Sequence, residues 1–353
     1  MRDAADNYQA YFERRWGHLR RARVRALAWL LDAPDLLDIH DPHWEGRIVT
    51  LGPMRPETES WLAALDQDPS ALDAALGAKM HTRLGLYAEK LMAFYFSEQG
   101  RLVAHGLQVR AARDDTIGEF DFLLDAGPDA VEHIEFATKF YLLQGEVHGD
   151  IAASFDDFVG PNLADSLGRK MRKVFERQLQ LGSHPAAQAV LPRPVTAARA
   201  LVKGWLFYPA GTYFAMDGIT AGHCRGFWCS LSELAQMDED RFLILPRLQW
   251  LPPFRASSAT WMLDRAQLLA ELDDHFAASS TPVLIAVVRE ATGGIVETER
   301  GFIVPDDWRE RAGAYRGQSP IFAYRGQSPI FGNSFTNSGS DHFLGKALCS
   351  RKD

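Results

Sequence analysis

Cysteine is scarce in this 353-residue sequence, which has only Cys224, Cys229 and Cys349. So small and odd a set cannot staple a chain of this length, and a reducing compartment is expected. Long apolar runs are missing as well. No uncharged stretch approaches the roughly 20 residues that a bilayer-spanning helix needs, and the first residues lack the apolar segment of a secretory leader. The expectation is a cytoplasmic protein with no membrane partner. Positive charge is not in excess either, because 38 Lys and Arg stand against 46 Asp and Glu, a formal charge of −8. A polyanion would have to meet a local basic patch, since no whole-molecule field attracts it. Three common signatures are also lacking: the GxxxxGKS and GxGxxG phosphate loops and the HExxH zinc helix.

What is present is ordinary in proportion, 46% hydrophobic and 24% charged, with length for one large or two ordinary domains. Arg14, Arg15, Arg20, Arg21, Arg23 and Arg25 interleave with Trp16, Leu19, Leu27, Trp29 and Leu30, which predicts one basic helix ended by Pro34. Helical spacing returns around 57–66 and 70–79, and a mostly buried helix is expected over 84–96. After Gly100, segments rich in Val, Ile and Phe predict strands at Leu102–Ala112, Gly118–Asp125 and Ala130–Leu143. A second helix carries the stripe Leu163, Leu167, Met171, Val174 and Phe175, with Asn162 and Asp165 as its expected N-cap. A strand at about 200–208, a helix near 264–277 and a strand at 282–288 complete the reading. The expected organisation is an N-terminal helical region (1–80), a core (81–210), a C-terminal α/β part packed on it (211–312), and a final segment (313–353). In that last segment residues 314–322 recur unchanged as 323–331. Two copies are too few for a solenoid, and the reading is a tandem duplication followed by a loose tail.

Three carboxylates stand where local structure does not favour them. Strand alternation puts Glu119, Asp121 and Leu123 on one face, although Asp is depleted in strands. The same period puts His133, Glu135, Ala137, Lys139 and Tyr141 together. Glu89 lies among apolar residues in the preceding helix. If these elements pack together, Asp121, Glu135 and Glu89 converge with a lysine beside them, a set of hard oxygen donors suited to Mg²⁺ or Mn²⁺. Such a site polarises a phosphoryl group and activates water. Arg169, Lys170, Arg172 and Lys173 offer the local positive patch that DNA or RNA would require. His223, Cys224 and Cys229 have zinc-ligand chemistry but no fourth ligand at a suitable spacing, so they are read as core. The bland reading of the acids is a charged stripe on half-exposed strands.

The succession of helix with Glu89, strand with Asp121, strand with Glu135 and Lys139, helix and strand resembles the common core of the PD-(D/E)XK nuclease superfamily. The pieces Val24–Leu31, Leu84–Glu89, Gly118–Phe122, Glu135–Lys139, Val159–Asn162, Lys203–Pro209, His223–Trp228 and Trp250–Pro253 resemble one bacterial branch, the family catalogued as domain of unknown function 1853. The resemblance implies an α/β fold with a restriction-endonuclease-like core, a mixed sheet flanked by helices. It also implies a Mg²⁺-dependent nuclease in which Asp121, Glu135 and Lys139 are catalytic and Glu89, Asp121 and Glu135 hold the metal. The alternative is a catalytically silent nucleic-acid-binding or protein-interaction module. One departure stands out: the superfamily's acid and lysine are two residues apart, whereas Glu135 and Lys139 are four apart, about 13 Å along a strand. Nothing in one chain specifies an oligomeric state.

Overall fold

The basic segment at the N-terminus folds as two helices where periodicity predicted one, α1 (Tyr8–Trp16) and α2 (Ala22–Asp32). The break is enforced at both ends. Gly17 closes α1 onto the Glu13 carbonyl, and the N–H groups of Arg20 and Arg21, unsatisfied at the start of α2, are taken by the Asp66 carboxylate at 2.7 to 3.0 Å. Asp66 comes from α3 (Pro56–Gln67), which is followed by α4 (Ser70–Leu76) and α5 (Leu84–Glu98). The computed structural model describes residues 7–77, 83–112, 115–144, 153–256 and 262–317. The chain divides at Arg316 and Gly317, so the second nonapeptide copy, most of the first, the tail and Cys349 lie outside the described residues.

Three antiparallel strands follow α5: β1 (Leu102–Ala112), β2 (Asp115–Asp125) and β3 (Val131–Leu143). β2 begins three residues before the predicted Gly118, because pairing with β1 extends to Ala112 and Asp115. Next come β4 (Phe158–Val159), α6 (Leu167–Lys173), α7 (Pro185–Gln188) and β5 (Val195–Pro209). The C-terminal part adds β6 (Cys224–Ser230), α8 (Leu231–Leu234), β7 (Phe242–Ile244), β8 (Arg255–Ala256), α9 (Arg265–Ala278), β9 (Val283–Ala291), β10 (Gly294–Val304) and α10 (Trp308–Gly317). All ten strands belong to one mixed sheet in the order β1-β2-β3-β5-β6-β10-β9-β7, with β4 beside β3 and β8 beside β10. β3, β5, β6 and β10 run parallel in succession. The sheet therefore crosses residue 210 without interruption. The molecule is an α/β protein with a large mixed sheet flanked by helices.

The longest pairing joins β3 to β5, where Lys139 lies opposite Gly204. A Cβ at Gly204 would collide with the Lys139 carbonyl oxygen, so close backbone approach explains the glycine in the Lys203–Pro209 segment. One face of the sheet is covered by α1, α2 and α5 over a core containing Trp29, Leu91, Phe96, Phe122, Ile134, Phe136, Trp205 and Phe302. The opposite face is covered in patches. Met171 of α6 packs on Ala137 and Val202, Leu272 of α9 packs on Ile285 and Ile303, and Leu181 and Ala187 pack on Val109 and Phe120. The second predicted helix starts later than its apolar stripe suggested. Ser166, not Asn162 or Asp165, caps α6 by accepting the Arg169 N–H at 3.2 Å. Leu163 has φ +56° and lies in the loop before it.

Candidate functional site

β2 and β3 pair only from Phe122 to Asp125 and from Ile134 to Val131. Beyond that point β2 stays with β1, while β3 continues with β5, so the two strands part at the positions of Asp121 and Glu135. Continuing the register would place these two residues directly opposite one another, with side chains on the same face. The parting leaves the Phe136 N–H without a strand partner, and Asp121 Oδ2 accepts it at 2.8 Å. An aspartate disfavoured in a strand thus satisfies the first backbone donor exposed by the fork.

Helices reach the fork from both sheet faces. α5 covers the face bearing Phe122 and Ile134, and its Glu89 raises the proton affinity of both Asp121 and Glu135 through its charge. Glu89 is fixed by His105 of β1, with Oε1 and Nε2 2.8 Å apart. α6 covers the other face and brings Lys170, whose Nζ donates to Glu135 Oε1 at 3.3 Å and to Gln178 Oε1 at 3.0 Å. Gln178 also donates through Nε2 to Glu135 Oε1. It projects from a π-helical turn, Val174–Gln178, that continues α6, and such turns occur often at functional sites.

The electrostatics are those of acids crowded away from water. Glu135 is 2% exposed, and its Oε2 has no hydrogen-bond partner among the described residues. Burial raises its pKa above the ordinary range, opposed by the Lys170 ammonium. Burial, and then the neighbouring Glu135, pushes Asp121 up to about 8, while the Phe136 N–H pulls the other way. His133, two residues before Glu135 on β3, is fully buried against Phe120 with both ring nitrogens unpartnered among the described residues. Burial lowers its pKa to about 4, so it is neutral at physiological pH.

The predicted site residues therefore divide. Glu89, Asp121 and Glu135 share one electrostatic neighbourhood at the fork. Lys139 shares the sheet face of Glu135 but turns to Asp165, with Nζ 2.9 Å from Oδ2, and Tyr141 OH donates to the same oxygen at 3.1 Å. Four residues of strand carry Lys139 past the acids, and it fastens the loop leading into α6. The lysine on Glu135 is instead Lys170, read from sequence as a nucleic-acid contact. The other members of that basic set are largely engaged within the molecule. Arg172 is bidentate to Asp156 at 2.9 and 3.0 Å, and Arg169 bonds Tyr315 OH at 2.5 Å. Lys173 is exposed and close enough to lower the proton affinity of Glu135. Gln178 was missed because a glutamine on a basic helix carries no signal of its own. The zinc-type trio is core: Cys224 and Cys229 are buried, and His223 bonds Tyr208 OH at 3.0 Å.

An α/β protein with an acidic fork in a mixed sheet is thus defined. The family model described as a domain of unknown function (DUF1853) matches residues 25–304, and the chain belongs to that family. No curated protein and no solved structure matches the chain.

Proposed function

We propose that the fork between β2 and β3 is a PD-(D/E)XK-type site that hydrolyses phosphodiester bonds in DNA or RNA with Mg²⁺ or Mn²⁺. The observation that carries this reading is the pair of buried carboxylates, Asp121 and Glu135, at the positions where the strands part, each sensing the Glu89 charge, with a Glu135 oxygen lacking any partner among the described residues. The element order α5, β1, β2, β3, α6, β5 supports it, as does the approach of a lysine from α6.

Among the described residues no group of three or more His, Cys, Asp or Glu side chains is arranged to hold a metal ion. Mg²⁺ does not require one, since it commonly takes one or two carboxylates and completes its shell with water and substrate phosphate. Asp121 and Glu135 would supply that pair, and a cation at the fork would relieve the raised proton affinity of both carboxyls. When bound, the ion polarises the phosphoryl group and stabilises the charge that develops on it. The chain's own groups do the rest. Lys170 and Gln178 hold Glu135 through Oε1, which leaves Oε2 as the oxygen that would meet the ion. Lys170 offers its ammonium to the developing negative charge, taking the part first expected of Lys139. Glu89, held by His105, keeps the cluster acidic, and Lys173 with Lys170 supplies positive charge for the phosphate backbone.

The test is cleavage of single- and double-stranded DNA and RNA by purified protein, with Mg²⁺, Mn²⁺ or a chelator. Nicking is expected only with a divalent ion, and Asp121→Ala should abolish it without weakening nucleic-acid binding. Cleavage that persists in Asp121→Ala, or no cleavage of any of these substrates, overturns the reading. Metal-independent binding without cleavage would assign the silent-module alternative.

A further inference from the structure

Behind the fork, on the α5 face of the sheet, lies a cavity of about 300 Å³, at the low end of volumes that hold small molecules. It forms because β5 has no sheet partner on its outer side before Trp205. A strap approaching from α2 covers that edge, with the Val49 N–H donating to Ala200 O at 2.9 Å and the Ala200 N–H donating to Arg47 O at 2.8 Å. Between strap and sheet the walls carry the hydrocarbon side chains of Ile48 and Leu51 from the strap, then Phe96, Leu124, Ile134 and Leu201, alongside polar groups.

Three charged groups interrupt this lining. Arg199 donates through Nε to Glu132 Oε1 at 2.8 Å, so these two neutralise each other. Arg101 is exposed, and its guanidinium has no hydrogen-bond or ion-pair partner among the described residues. The half-open cavity therefore has a mixed lining, with hydrocarbon side chains on strap and sheet, one uncompensated positive charge and a paired acid in its wall. We propose that it binds a small monocarboxylate with an aliphatic body, the carboxylate on Arg101 and the chain among Ile48, Phe96 and Leu201. A guanidinium matches a carboxylate through two parallel N–H donors. The net charge of the lining selects a monoanion, because a phosphate dianion would leave one charge unbalanced beside Glu132. Ile134 is the residue before Glu135 but faces the opposite side of the sheet, so this site is separate from the acidic fork and stands independently of hydrolysis there.

Octanoate, below its micellar range, is a suitable probe, titrated calorimetrically into the full chain beside 1-octanol, octyl phosphate and inorganic phosphate. One saturable octanoate site is expected, with each of the other three at least about tenfold weaker. Arg101→Gln, a surface change, should weaken octanoate about tenfold and leave octanol unaffected. Leu51→Trp, which fills the cavity from the strap, should abolish binding while the melting temperature stays near that of the parent chain. Absence of octanoate binding, equal affinity for octanol, tighter binding of octyl phosphate, or an unaltered affinity in Arg101→Gln would each overturn the proposal.

Discussion

Two clusters of buried charge lie in the same sheet, and they are built on opposite principles. On β10, Arg300 donates to both carboxylate oxygens of Glu297 and to the carbonyls of Trp250 and Pro252. Glu297 also accepts from the Phe254 N–H at 2.8 Å and from Gln9 at 3.3 Å. Both side chains are fully buried, and the guanidinium lies over the Trp205 ring. This network is closed, and it ties α1 and the 250–254 loop to the sheet. At the fork, Asp121 is held near neutrality, Glu135 keeps one oxygen unpartnered among the described residues, and the compensating cation comes from a helix on the far face. A closed network adds cohesion. An open one holds a deficit that a ligand can fill, and groups with displaced pKa values gather where chemistry is done.

The sharpest way to break this contrast is to disturb the closed cluster. Arg300→Met would leave Glu297 buried without its partner, and a loss of about 3–5 kcal/mol in denaturant unfolding is expected. A loss near zero would show that the β10 network is no more structural than the fork. Next comes the identity of the working lysine. Lys170→Gln is expected to slow single-turnover cleavage about 100-fold, the scale of removing one preorganised charge-stabilising donor. Lys139→Gln should act much more weakly, through the loop it ties to Asp165, and the reverse order would return the role to Lys139. The smallest effect concerns pH. Folded Asp121 titrates at about 8 against an ordinary value of 3.8, so between these limits the native state holds a proton that the unfolded chain has lost. Stability therefore falls as pH rises through that window, and the deficit is complete above it. Asp121→Asn cannot ionise, and its oxygen can still accept the Phe136 N–H. In the presence of chelator it should be more stable than the parent by on the order of 1–2 kcal/mol at pH 9, and the gain should vanish at pH 4. Mg²⁺ should narrow the difference by stabilising the parent alone.

Elements with a strong local signature were legible in advance. The three strands after Gly100 and the buried α5 announced themselves through alternation and an apolar surround. β6 and β10 did not, because central strands covered on both faces lose the alternation that marks a half-exposed one. α1 and α2 were merged because the cap that separates them, Asp66, lies more than forty residues away in sequence. Within the site, the acids were visible because Asp and Glu are out of place in strands and apolar helices. The Lys139 side chain turns to Asp165 and Lys170 meets Glu135; sharing a strand face with Glu135 is a local property, whereas the approach of Lys170 depends on how α6 lies across the sheet.

Composition and periodicity, acting over a few residues at a time, were enough to fix an α/β chain with a sizeable hydrophobic core, and to single out Glu89, Asp121 and Glu135. Which cation answers those acids, where β2 leaves β3, and which buried charges are fully matched were decided only when distant segments met. Desolvation and hydrogen-bond satisfaction depend on neighbours in space, and no local pattern of residues encodes them.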